Sequence, residues 1–121
     1  MTDNNLHKLL DKKFIGDSNL IIRVEKNDKI FNAGQFYSVG IPDLPINREY
    51  SVCNSANDDY IEFLIRYVDG GTLTPKLFNT KIGENIKVLG PYGEFYLKDF
   101  DINKKYLFIG TGTGIAPFLS I

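Results

Sequence analysis

With a single cysteine, Cys53, the chain has no partner for an internal disulfide, which fits a reducing, cytoplasmic setting. One histidine, His7, stands in a polar N-terminal stretch. One Cys and one His cannot assemble a zinc constellation, so no metal site is expected. No long basic run offsets the net charge of -1, which argues against nucleic acid and other polyanions as partners. Apolar runs such as Tyr106 to Ile109 are far too short to cross a bilayer. The opening Met1-Thr2-Asp3-Asn4-Asn5 lacks a basic-then-apolar secretion signal, so no membrane association is expected. Internal repeats and low-complexity tracts are also missing.

What is present is the material of one modest core: 121 residues, 43% hydrophobic and 24% charged. The stretch that organises it is Arg48-Glu49-Tyr50-Ser51. Arg offers a rigid guanidinium fork matched to phosphate oxygens. In an extended strand Tyr50 shares a face with Arg48, where its ring can lie against a flat heteroaromatic. Ser51 points the other way and brings one hydroxyl. Taken alone, these four residues are a weak pattern, better described by an edge strand with a solvated Arg and a half-buried Tyr. Two later motifs change the weighing: Asp69-Gly70-Gly71-Thr72-Leu73-Thr74-Pro75, and Gly110-Thr111-Gly112-Thr113-Gly114-Ile115-Ala116-Pro117.

Taken in order, the first 13 residues are polar, with a frayed helical turn expected at Leu6 to Leu10. Leu20, Ile22 and Val24 alternate with Ile21, Arg23 and Glu25, a period of two that predicts a half-buried strand over 19–26. After a turn at Asn32-Ala33-Gly34, further strands are predicted over 35–39 and 49–54, with Pro42 and Pro45 marking the loop between. Residues 60–68 place Ile61, Phe63, Ile65 and Tyr67 on one face, forming a hairpin beside the Arg48 segment. Thr72 is the predicted N-cap of a short helix to about Asn79, with Pro75 in its first turn. A strand over 85–89, a turn at Gly90-Pro91-Tyr92-Gly93 and a closing strand through Phe95 and Leu97 follow. Many short strands with one brief helix favour a closed antiparallel barrel. Lys105 to Ile109 differs, as an apolar run before a glycine-rich turn that predicts a buried parallel strand, with a helix beginning near Ala116 or Pro117. Cys53, just past the Arg48 stretch, is read as a small residue packed inside.

From about Phe14 to Ile121, the three motifs in this order resemble the ferredoxin-NADP reductase family, in wording nearest its bacterial ferredoxin or flavodoxin reductases. The resemblance implies an all-β-dominated fold: a six-stranded antiparallel Greek-key barrel binding FAD over residues 1–103. It implies that 104–121 hold the first strand and turn of a Rossmann-like NADP domain that is cut short. The intact enzyme would move electrons between NADPH and ferredoxin or flavodoxin through FAD. Within the Arg48-Glu49-Tyr50-Ser51 stretch, Arg48 would pair with FAD phosphates, and the catalytic positions would be Tyr50, stacked on the flavin ring, and Ser51, near its hydride-accepting nitrogen. Leu64, Ile65 and Arg66 would border the flavin by their backbone. Thr72, Leu73 and Thr74 would hold its pyrophosphate side, and Thr113 would sit where the two domains meet.

FMN is the alternative cofactor. Alternative functions are the electron-transfer subunit of a dihydroorotate dehydrogenase or oxygenase system, and a non-catalytic barrel using its 7 Tyr and 9 Phe for binding. A truncated second domain carries its own expectation. Leu107, Phe108, Ile109, Ile115, Phe118, Leu119 and Ile121 either fold back on the barrel or form an exposed apolar patch.

Overall fold

A computed structural model describes residues 5–97 and 101–121. Its strands are β1 (Leu6–Ile15), β2 (Asn19–Glu25), β3 (Phe36–Gly40), β4 (Asn47–Ser51), β5 (Tyr60–Arg66) and β6 (Asn85–Tyr92). They form one antiparallel sheet in the order β4-β3-β6-β1-β2-β5. The two end strands are joined just past β4, where Val52 bridges Phe63 and the Cys53 amide donates to the Glu62 carbonyl at 2.9 Å. This closes the sheet into a barrel, with β6, β3, β4 and β5 side by side as a Greek key.

Alternation builds the core. Leu20, Ile22 and Val24 stand opposite Ile65, Phe63 and Ile61, so all six share the inner face and none is more than 1% exposed. Tyr37 and Val39 of β3 and Ile86 and Val88 of β6 complete it.

Five local expectations are corrected. The frayed turn at Leu6 to Leu10 is instead part of β1, paired on both sides, with His7 and Leu9 buried. Its inward set includes a histidine, whose Nδ1 donates to the Glu25 carbonyl at 2.5 Å. That residue type hid the alternation, and pairing with two distant strands overrides local propensity. The Gly90-Pro91 turn is instead carried within β6, at an irregularity opposite Tyr37, a bulge being where a strand admits proline. Gly90 has φ +136°, and a Cβ there would lie 2.9 Å from the Tyr37 ring.

Phe95 and Leu97 form no ladder. The chain at Phe95 instead crosses over Gly34, where a Cβ would fall 1.7 Å from the Phe95 carbonyl oxygen, and β1 supplies the sixth strand. Lys105 to Ile109 is likewise not a strand, and Leu107 and Ile109 are 86% and 78% exposed. A parallel strand needs neighbours and cover on both faces, and the described residues supply neither here. Phe108 stacks on Phe118 at 4.9 Å within the segment itself, and Leu107, Ile109 and Leu119 form the exposed apolar patch that was the second expected fate.

The short helix α1 spans Thr74–Asn79 with Pro75 in its first turn; Leu73, not Thr72, occupies the cap position. After the glycine-rich turn, a 3-10 turn at Gly112–Ile115 runs into α2 (Ala116–Ser120), where the helix was expected to begin. Among the described residues no helix is long and apolar enough to cross a membrane.

Candidate functional site

β4 and β5 meet at Val52 and Phe63 and have no ladder beyond that bridge, so they part towards Arg48 and Arg66. Between them opens a cleft of about 320 Å³, at the small end of the range for ligand sites. Arg48, Glu49 and Tyr50 form the β4 wall. Arg48 and Tyr50 lie opposite Val39 and Tyr37 of β3, so they share one side of the strand. Arg66 and Val68 form the β5 wall, and Gly71, Thr72, Leu73 and Thr74 the floor leading into α1. Thr113 reaches the cleft from the 3-10 turn near the C-terminus.

Three stretches far apart in sequence therefore converge. Of the residues expected to hold a cofactor, Arg48, Glu49, Tyr50, Arg66, Thr72, Leu73, Thr74 and Thr113 line one cavity. Ser51 is half-buried at the end of β4 and does not line it. Leu64 is half-buried, and Ile65 sends its side chain into the core, leaving its backbone as its route to a ligand.

Val68 and Gly71 are lining residues that the sequence reading did not single out. Gly71 had a signal in the Gly70-Gly71 pair ending the strand. A Cβ at Gly71 would lie 2.9 Å from the Val68 carbonyl oxygen, to which the Gly71 amide donates at 2.9 Å. Val68 carried no chemical mark at all.

The donors are exposed where charge is needed and buried where shape is needed. Arg48 is exposed, with Nη1 donating to the Asn47 carbonyl at 3.0 Å. Tyr50 packs against the core, and burial pushes its phenol up despite the opposing charge of Arg48. At neutral pH the phenol is therefore uncharged, and Tyr50 works as a ring. The Thr74 hydroxyl is already engaged: it accepts from the Val68 amide at 2.9 Å and lies 3.4 Å from the Val68 carbonyl. It thus fastens the start of α1 to the end of β5.

Cys53 is 5% exposed, its thiol facing the Glu62 carbonyl at 3.4 Å and Glu62 Oε2 at 3.6 Å. Burial, then the charge of Glu62, pushes it up to about 12. It is a small buried residue, as expected, but sits two residues past the end of β4 and does not line the cleft. Among the described residues no group of His, Cys, Asp and Glu side chains is arranged to hold a metal.

A cleft lined by two arginines, a half-buried aromatic ring and three threonines can hold an anionic ligand that carries a flat ring. The comparisons agree with that chemistry. Residues 7–96 match the family described as the oxidoreductase FAD-binding domain. The chain is 38% identical over 95 residues to the flavodoxin/ferredoxin-NADP reductase of Rhodobacter capsulatus, covering 75% of this chain and 35% of that protein. It is 33% identical over 96 residues to the toluate 1,2-dioxygenase electron transfer component of Pseudomonas putida, covering 78% and 28%. A ferredoxin NADP+ reductase from Neisseria gonorrhoeae, solved with bound FAD and NADP, superposes with a TM-score of 0.86 at 26% identity, covering 95% of this chain and 48% of that one. The chain thus spans about a quarter to a half of the length of the relatives it matches.

Proposed function

The chain belongs to the oxidoreductase FAD-binding domain family, and from that premise we propose that it is the flavin-holding part of a cytoplasmic reductase moving electrons between NADPH and ferredoxin or flavodoxin. The observation that carries the reading is the meeting of Arg48, Tyr50, the 72–74 segment and Thr113 in one cleft. The donor set fits FAD. Arg48, with Arg66 on the facing wall, would take phosphate oxygens, and Tyr50 would present its ring to the isoalloxazine. Ser51 would offer its hydroxyl to the polar edge of the ring, and Thr72 and Leu73 would border the pyrophosphate. Bound there, FAD supplies the chemistry, accepting two electrons as a hydride from a nicotinamide and releasing them singly.

Titration of the purified chain with FAD, followed by flavin fluorescence, tests the reading. FAD is expected to bind more tightly than riboflavin, because riboflavin offers Arg48 no phosphate. Arg48→Ala should weaken FAD by about tenfold or more, as loss of a charge-assisted bond implies. Tyr50→Ala should weaken FAD and riboflavin alike. A folded chain indifferent to FAD would sink the proposal. The likeness to the toluate dioxygenase component supports a second reading, in which electrons pass to an oxygenase system. Anaerobic mixing of the photoreduced, FAD-loaded chain with ferredoxin, flavodoxin or oxygenase components separates the two by which carrier is reduced.

A further inference from the structure

Thr113 belongs to the cleft only if the segment carrying it stays in place, and among the described residues that segment shares no β-ladder with the barrel. Its 3-10 turn lies against β5, and α2 continues it with two buried residues, Ala116 at 2% and Ser120 at 7% exposed. These are four residues apart and so share one helix face, the face that meets the barrel. On that face Ser120 Oγ donates to the Asn54 carbonyl at 2.5 Å, a buried bond between residues far apart in sequence.

The acceptor is rigid. Asn54 is 6% exposed, its Nδ2 donates to the Tyr60 carbonyl at 2.8 Å, and its Oδ1 accepts from the Glu62 amide at 2.9 Å. It directly follows the Val52 and Cys53 contacts that close the barrel, on the same run of chain as Tyr50. A buried hydroxyl bonded to a fixed carbonyl is worth little while made, but costly to break, because the carbonyl then loses its partner without gaining water.

We propose that Ser120 is a positioning residue: by donating to the Asn54 carbonyl it holds the Gly112–Ile115 turn, and Thr113 with it, as the outer wall of the cleft. The flavin side of this inference rests on the reading given above; the mechanical side does not. Ser120 touches no ligand itself and acts through Thr113, slowing release of whatever the cleft holds.

Two measurements on Ser120→Ala and Ser120→Thr test it, with Leu119→Ala, on the exposed face of α2, as control. Amide hydrogen exchange of the flavin-free chain should rise about tenfold or more over residues 112–121 in Ser120→Ala, while β2 and β5 keep their protection. Ser120→Thr, which keeps the hydroxyl, should restore slow exchange. FAD release, followed by recovery of flavin fluorescence, should accelerate in Ser120→Ala and return towards the original rate in Ser120→Thr, with the barrel's thermal midpoint unchanged. A plain loss of stability would move that midpoint and would not be rescued selectively. Unchanged exchange in Ser120→Ala overturns the latch, and accelerated exchange with unaltered FAD release overturns its link to the cleft. If the unaltered chain binds no FAD, the cleft's flavin reading fails, and exchange alone decides whether Ser120 holds Thr113.

Discussion

Cys53 shows how one residue's surroundings translate into behaviour in solution. Its thiol is buried beside Glu62, and both features favour the protonated form, raising it from 9.0 to about 12. An acid raised on folding leaves the folded state holding a proton that the unfolded state has released. Stability is therefore complete below about pH 9 and declines towards about pH 12, by up to about 1.4 kcal/mol per pH unit. Urea midpoints between pH 8 and 11 should fall for the chain and fall less for Cys53→Ala. A residual slope above pH 10.0 is expected from Tyr37, also raised by burial. The same argument keeps Cys53 slow towards thiol reagents at pH 8 in the folded state, since little thiolate is present. Identical slopes in the two proteins would show that the thiol does not titrate across this range. Arg48 and Tyr50 were legible in the sequence because charge and ring advertise chemistry, whereas Thr72 and Thr113 were reached only through the resemblance of their glycine-rich motifs to the reductase family. Val68 and Gly71 were not, since one lines the cleft by shape and the other by the absence of a side chain.

At the scale of elements, β2 and β5 were legible because their inward residues are uniformly aliphatic or aromatic at period two. β1 was not, because its inward set mixes His7 with Leu9 and its partners, β2 and β6, lie on either side. That unforeseen strand does more than complete the sheet. Lys12 extends from it to donate to the Phe78 carbonyl at 2.6 Å and the Thr80 carbonyl at 2.9 Å. Those carbonyls end α1, where a cation satisfies acceptors that have no partner within the helix. β1 therefore holds the far end of the helix whose near end floors the cleft. Lys12→Met keeps the stem and removes the donors. It should lower stability by about 1–2 kcal/mol in urea unfolding, without a change in the dependence on denaturant. FAD affinity should fall with it, because Leu73 and Thr74 lose their support. A variant equal in stability to the parent would show the two bonds to be net neutral.

For the molecule as a whole, closure of the barrel satisfies the strands but leaves the last described stretch with surplus apolar surface. Leu107, Ile109 and Leu119 are 86%, 78% and 56% exposed, while Phe108 and Phe118 stack beside them and Phe95 meets Phe118 edge-on at 5.8 Å. The apolar character of this run was legible; its conformation was not, since an aliphatic run takes its shape from whatever covers it. Contiguous apolar surface of this kind drives association, because each large side chain removed from water gains about 1.5–3 kcal/mol when fully buried. The chain is therefore expected to self-associate as its concentration rises, seen in sedimentation velocity as a growing fast component. Leu107→Lys with Ile109→Lys should suppress it while leaving the barrel's unfolding within about 0.5 kcal/mol of the parent, as expected for surface sites. FAD titrations should be unaffected, because neither residue lines the cleft. If the double variant associates as strongly as the parent, the contact lies elsewhere on the barrel. The exposed Phe14, 58% exposed and edge-on to Phe78 at 5.9 Å, is then the next surface to test.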